Sequence, residues 1–413
     1  MIRIVTSALA LALAAAACGS TVSTPSPTAG VAVPPTASAA RPATTIPPTP
    51  PPEWQDARIV HPVAVNGFAS QPPGYFCDPC HNLSEDDLFG VGRAAGGFIA
   101  VGAVTPPASA IGLWSPDGAS WAPLQGFSSA NGSAAVAVTE NAGRIVIVGH
   151  DPSGAAAWSF DGHSWTRAPA QASLRVPYAA GGMTAVVPFD GGFVAAGYRD
   201  DPAAARASAA VWRSADGLRW TLDAQPASNP MAGARILGLA ARGGTLVAVG
   251  TGGDLIKGPS AAWRWTNASG WTKAPAGGGA MKAVVSTPDG FVAVGVNPSD
   301  DGAMAWTSPD GSAWQAVPDQ PAFHFYELPV RFQALTLSGG TLIAAGWRSD
   351  PGKGSSVAVT SADGQTWAAL PWQASFSGGQ IDALTSGNGT LVAAGRVGYP
   401  DTNTAAVWLR SWP

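Results

Sequence analysis

One local pattern returns seven times along this chain of 413 residues: a glycine-rich turn, an apolar run and a closing glycine. The copies begin with Gly96-Gly97-Phe98-Ile99-Ala100-Val101-Gly102 and Gly143-Arg144-Ile145-Val146-Ile147-Val148-Gly149. They continue over 191–197, 243–250, 289–295, 339–346 and 388–395. Continuous runs this short, rich in Val, Ile and Phe, predict strands buried on both faces. The closing glycines fall 45 to 53 residues apart, room for four strands and four turns. A repeat of that period is one supersecondary unit stacked on its neighbours, so the length does not divide into two or three separate domains. Seven four-stranded antiparallel units predict an all-β fold, a seven-bladed β-propeller. Composition agrees, with 51 Gly, 17 Trp and only 12% charged residues.

A second motif follows most of these strands. Ser115-Pro116-Asp117-Gly118-Ala119-Ser120-Trp121 recurs over 159–165, 214–220, 308–314 and 361–367 as Ser-x-Asp-Gly-x-x-Trp. The Asp carboxylate can accept backbone N–H bonds across a tight turn, and Gly takes the φ > 0 position beside it. Trp then opens the next strand and places a large ring between sheets. The fourth copy, Thr266-Asn267-Ala268-Ser269-Gly270-Trp271, is one residue short and lacks the Asp.

In these boxes the chain resembles the Asp-box (bacterial neuraminidase) repeat family over about 54–413. The resemblance implies a hairpin box between the third and fourth strands of each blade, in a sialidase-like architecture. In blade three the four strands are expected at 184–188, 193–197, 209–214 and 220–223. The seventh copy stops at Ser411-Trp412-Pro413, without an outer strand. Glu53-Trp54-Gln55-Asp56-Ala57 is similar to Ala313-Trp314-Gln315-Ala316-Val317, an outer strand after its box. The segment 54–58 is therefore expected to complete blade seven beside 404–410, which leaves no open edge.

The first seventeen residues carry one positive charge, Arg3, then an apolar run ending Ala15-Ala16-Ala17 before Cys18. This is the layout of a secretory signal peptide. The small residues before Cys18 resemble the lipobox of bacterial lipoproteins, which implies lipidation of the Cys18 thiol; Ala15 stands where Leu is usual. Residues 18–53 are almost wholly Pro, Thr, Ser, Ala and Val, too polar and Pro-rich to bury a core. They are expected to be a tether reaching ~100 Å in polyproline II form. The expected location is the outer side of the cytoplasmic membrane, with the lipid as the sole membrane contact. A net charge of −4 argues against a nucleic-acid partner, which requires a basic stripe.

In such a ring the loops joining second to third strands share one face with the blade-to-blade connections, and the boxes lie on the other. Sites are therefore sought on the first face. Its loops carry His150, Tyr198, Arg199, Asp200, Trp347, Arg348, Arg396 and Tyr399, taken as candidate binding residues for a glycan, peptide or protein, or with their Asp neighbours for Ca²⁺. The same Asp-Pro and Asp-Gly pairs also serve as plain loop turns. Tyr326 and Glu327, with Arg235 and Arg331 opening inner strands, resemble the sialidase set of an activated Tyr and substrate-holding arginines. Against this, sialidases are six-bladed, the Arg-Ile-Pro signature is met only by Arg58-Ile59-Val60, and no acid/base Asp is assigned.

Cys77-Asp78-Pro79-Cys80-His81 has the spacing of c-type haem attachment with His81 as axial ligand. No cytochrome-like helices fit the short segment before the first blade, and outside the cell two nearby thiols oxidise. A Cys77–Cys80 disulfide is expected, with no cofactor. His61, His163 and His324 show no metal-ligand spacing. The expected function is a monomeric, non-catalytic binding or scaffold protein. A glycoside hydrolase is the alternative, and a redox lipoprotein using the CxxCH motif the third.

Overall fold

The computed structural model describes residues 53–59, 85–105, 109–175, 181–201, 206–223, 230–252, 258–325, 328–350, 353–398 and 403–412. Two short strands come first, β1 (Gln55–Asp56) and β2 (Arg58–Ile59). Blade one is β3 (Glu85–Ala94), β4 (Gly97–Thr105), β5 (Ser109–Ser115) and β6 (Ser120–Pro123). Blade two is β7 (Ala134–Asn141), β8 (Arg144–Asp151), β9 (Gly154–Phe160) and β10 (Trp165–Arg167). Blade three is β11 (Gly181–Phe189), β12 (Gly192–Asp201), β13 (Arg206–Ser214) and β14 (Thr221–Leu222). Blade four is β15 (Ala234–Arg242), β16 (Thr245–Gly252), β17 (Ser260–Thr266) and β18 (Gly270–Ala274). Blade five is β19 (Ala280–Thr287), β20 (Gly290–Val296), β21 (Ala303–Ser308) and β22 (Gln315–Ala316). Blade six is β23 (Val330–Ser338), β24 (Thr341–Asp350), β25 (Lys353–Ser361) and β26 (Ala368–Ala369). Blade seven has β27 (Gly379–Gly387), β28 (Thr390–Val397) and β29 (Thr404–Ser411), with β1 as its outer strand. Within every blade neighbouring strands are antiparallel, so the predicted propeller of seven four-stranded blades is what forms.

The ring closes at the expected segment. Gln55 pairs with Leu409 and Asp56 with Trp408. Trp54 takes the outer-strand tryptophan position: it is 4% exposed and packs on Phe376 at 5.6 Å. Its backbone N–H donates to Gln373 Oε1 at 2.7 Å, as Trp220 donates to Gln171 and Trp367 to Gln320. One part of the expectation needs correction. Arg58 does not continue blade seven; Arg58 and Ile59 run parallel to Ser120 and Trp121 of blade one. The N-terminal segment thus ties the last blade to the first.

The Ser-x-Asp-Gly turn of blade three uses each of its constant residues. In blade three Ser214 Oγ accepts the Gly217 N–H at 2.8 Å, and Asp216 Oδ1 accepts those of Leu218 and Arg219 at 2.9 and 2.8 Å. Trp220 donates its indole N–H back to Gly217 O at 3.0 Å. Gly217 sits at φ 72°, and a Cβ there would collide with Val146 of blade two. The turn therefore docks one blade on the previous one. A second set, Trp158, Trp212, Trp263, Trp306 and Trp408 on third strands, fills the space between sheets. Trp158, Trp212, Trp263 and Trp408 also donate to carbonyls of the preceding inter-blade loops at 2.8–3.1 Å.

Every inner strand slips register once, at one structural position. The slips fall at Phe89, Val136, Thr184, Leu237, Lys282, Gln333 and Asp382. A β-bulge of this kind re-aims a side chain. The bulge also explains the seven closing glycines. A Cβ on Gly102 would overlap the carbonyl oxygen of Asp87, one on Gly250 that of Arg235, and one on Gly395 that of Gln380.

Candidate functional site: the tunnel ring and its mouth

The seven bulge residues, one per blade, line a cavity of about 340 Å³ on the propeller axis. A second cavity of about 260 Å³ is lined by the same residues and the two that follow each, towards the box face. Four consecutive blades contribute Phe89, Val136, Thr184 and Leu237; the remaining three contribute Lys282, Gln333 and Asp382. One arc of the ring is thus mainly apolar and the other carries opposite charges flanking an amide. The Thr184 hydroxyl is used within the wall, at 2.7 Å from Ile236 O.

These ring residues belong to neither sequence motif, although a signal for them is present. Each follows a buried apolar residue and precedes a small one and an aliphatic: Leu88-Phe89-Gly90-Val91, Met281-Lys282-Ala283-Val284 and Ile381-Asp382-Ala383-Leu384 are examples. The small residue is needed because the next inner strand passes close by. A Cβ on Gly90 would overlap Val136 O.

Two residues nearer the loop face, a second layer surrounds the mouth. On the second strands this layer is the position just after each closing glycine, and there stand His150, Tyr198, Trp347 and Arg396. Their register partners on inner strands include Arg331, opposite Trp347, and Gln380, opposite Arg396, while Arg235 holds the same position in blade four. Six of the residues singled out from the sequence therefore share one layer.

Its contacts run both within and between blades. Arg396 donates to Asp87 Oδ2 of blade one and to Gln380 Oε1, both at 3.1 Å. Arg331 makes a two-pronged ion pair with Asp300 of blade five at 2.8 and 2.9 Å, and its guanidinium lies 4.8 Å from the Trp347 ring. Arg235 stacks 5.3 Å from Tyr198 of blade three. His150 lies over the Gly182 backbone, where burial holds its imidazole below the usual histidine range. Arg235 and Arg331, grouped by their sequence positions, thus stand on blades four and six with different partners.

The other candidates lie outside this layer. Arg348 pairs with Asp350 at 2.7 Å, which also accepts Ser355 Oγ at 2.5 Å, and Arg348 reaches 6.0 Å from Trp372, an indole 45% exposed. Arg199 donates to Arg175 O at 3.1 Å. The Asp200 backbone pairs with Ala207, and its side chain lies outside the described residues. Tyr326, Glu327 and Tyr399, and with them Cys18, Cys77, Cys80 and His81, also lie outside the described residues. Among the described residues no group of three His, Cys, Asp or Glu side chains is placed to hold a metal.

Carboxylates in the tunnel wall and in the box turns titrate in opposite senses. Burial in the tunnel wall, reinforced by nearby Asp87, pushes the Asp382 carboxyl up to about 6, against the bond from Gln380 and the charge of Arg396. Asp117, held by the Ala119 N–H, and Asp363, held by that of Thr366, lie below the ordinary 3.8. Asp382 has its folded value above its unfolded one, so it favours folding more as pH falls from above 6 towards 3.8. The turn carboxylates stabilise fully above 3.8 and lose that contribution as pH falls further. Denaturant titrations are expected to show wild type falling further below an Asp382→Asn variant as pH rises from about 4 through about 6. Asp382→Asn should stabilise by about 1–2 kcal/mol at pH 7.5, allowing for water in the tunnel, and leave the acid limb unchanged.

No protein-family model and no curated protein matches the chain. Among solved structures, it is similar to one assigned as a 6-phosphogluconolactonase from Bacteroides uniformis, at 13% identity and TM-score 0.48, covering 78% of this chain and 94% of that one. It is also similar to Trypanosoma rangeli sialidase in complex with sialic acid, at 12% identity and TM-score 0.44, covering 79% of this chain. The match spans 54% of the sialidase chain, about half its length.

Proposed function

We propose that this chain is an exported Asp-box propeller, lipid-anchored through Cys18, that binds a glycan, peptide or protein on its loop-rich face without transforming it. The observation that carries the reading is the mouth layer, in which His150, Tyr198, Arg235, Arg331, Trp347 and Arg396 occupy equivalent positions around one opening. Aromatic and Arg side chains are the types that dominate binding energy in recognition surfaces. Here Arg331 and Arg396 are already held by carboxylates, so little rotamer freedom remains to be lost on binding. Their charges are neutralised by Asp300 and Asp87, which suits a ligand bound by stacking and hydrogen bonds over a polyanion. A glycan and peptide array probed with the propeller, read for both retention and turnover, tests the proposal. Retention of a ligand without product is expected. A released product instead supports a glycoside hydrolase.

A further inference from the structure

Below the mouth, the tunnel ring joins three features that no loop-face ligand requires. Lys282, Gln333 and Asp382 come from three consecutive blades and line the same cavity, with a cation and a carboxylate on either side of an amide. The rest of the wall is mainly apolar, with Phe89, Val136 and Leu237. Among the described residues Asp382 accepts one side-chain hydrogen bond, from the Gln380 amide to Oδ1 at 2.6 Å, and none falls on Oδ2. A cavity of about 340 Å³ lies in the range of small-molecule sites.

We infer that this ring is a binding site for a small zwitterion with an apolar arm, that is, a free α-amino acid with a hydrocarbon side chain. Asp382 Oδ2 receives the ammonium group, Lys282 the carboxylate, and Gln333 bridges them, while the side chain lies against Phe89, Val136 and Leu237. Lys282 has a partner within the protein, and its three N–H donors allow it to serve a second acceptor. Matched opposite charges are what make burial of a doubly charged ligand tolerable in a narrow site. The charged groups facing Asp382 are Arg396 on β28 and Asp87 on β3, with Lys282 across the cavity. Burial and Asp87 disfavour its charge, and a bound ammonium would relieve both. The inference does not rest on the loop-face reading, because the two use different residues.

Calorimetric titration of the full chain with L-leucine, L-methionine and L-phenylalanine tests it. At pH 7.5 at least one of them is expected to bind. Its N-acetyl derivative and its amide, each lacking one charge, should bind at least about tenfold more weakly. Asp382→Asn, a variant expected to fold, should abolish the preference for the free ammonium. Lys282→Met should abolish the preference for the free carboxylate. Asp161→Ala, in an exposed box turn, should leave the titration unchanged, and failure here leaves the loop-face proposal standing, since that proposal uses other residues. Absence of binding by all three amino acids, or equal affinity for the amide or N-acetyl form, overturns the inference and leaves the ring a water-filled part of the scaffold.

Discussion

A chain lacking residues 53–59 is expected to lose most of its cooperative stability, although it retains all seven glycine-closed strands. The removed segment supplies the outer strand of blade seven and the parallel strap to blade one. It also supplies Trp54, whose ring covers Phe376 beside Trp408. Trp54→Ala alone should cost about 3–5 kcal/mol, the range for emptying a buried aromatic site. Arg58→Ala, at an exposed position, should stay within about 0.5 kcal/mol. Chemical denaturation followed by far-UV circular dichroism separates these outcomes. A Trp54→Ala protein within about 1 kcal/mol of wild type would mean that the N-terminal strand is ornamental to closure.

The second large effect is expected at a closing glycine. Gly250→Ala would put its Cβ into the Arg235 carbonyl oxygen at the bulge, a backbone group that cannot swing away. Restoring space requires undoing the bulge, which would turn Leu237 away from the tunnel and slip the register of β15 against β16. A loss of about 3 kcal/mol or more, or failure to fold, is expected. Gly244→Ala is the control. A Cβ at that glycine would meet nothing within 4 Å, and its backbone needs no left-handed φ. It should change stability by less than about 1 kcal/mol in either direction, mainly through the unfolded chain. Similar denaturation midpoints for the two variants would remove close approach as the reason for the repeat.

Much of the fold is legible because its constraints are local. A strand buried on both faces must be continuously apolar, a tight turn must contain Gly, and a Ser-x-Asp-Gly box closes its own hydrogen bonds within seven residues. The closing strand is legible for the same reason, since Trp54 repeats the outer-strand pattern of Trp314. Other parts depend on neighbours far away in sequence. Nothing local marks Arg58 and Ile59 as partners of Ser120 and Trp121 in place of blade seven. The ring residues are the clearest case. A bulge constrains the residues flanking it, so the axis position accepts Phe89, Lys282 or Asp382 alike and shows no composition of its own.

The mouth is legible in part. Four of the seven residues after closing glycines, His150, Tyr198, Trp347 and Arg396, stand out as aromatic or basic, and the structure brings them into one layer with Arg235 and Arg331. Their pairings are hidden: Arg396 meets Asp87 across 309 residues of chain, a contact that exists only because the ring closes. Arg235 and Arg331 are alike in sequence position but meet Tyr198 in one case and Asp300 in the other, because the loops of the adjacent blades differ.

The central claim, that recognition takes place at the tunnel mouth on the loop face, is tested most directly by comparing substitutions on the two faces. A ligand retained from the array would be titrated against wild type, Tyr198→Ala, Trp347→Ala and, on the box face, Asp161→Ala. Either mouth substitution is expected to weaken binding about tenfold or more, as removal of a recognition aromatic does, while Asp161→Ala binds as wild type. Equal affinity of the mouth variants and wild type, or loss of binding in Asp161→Ala alone, would contradict the account.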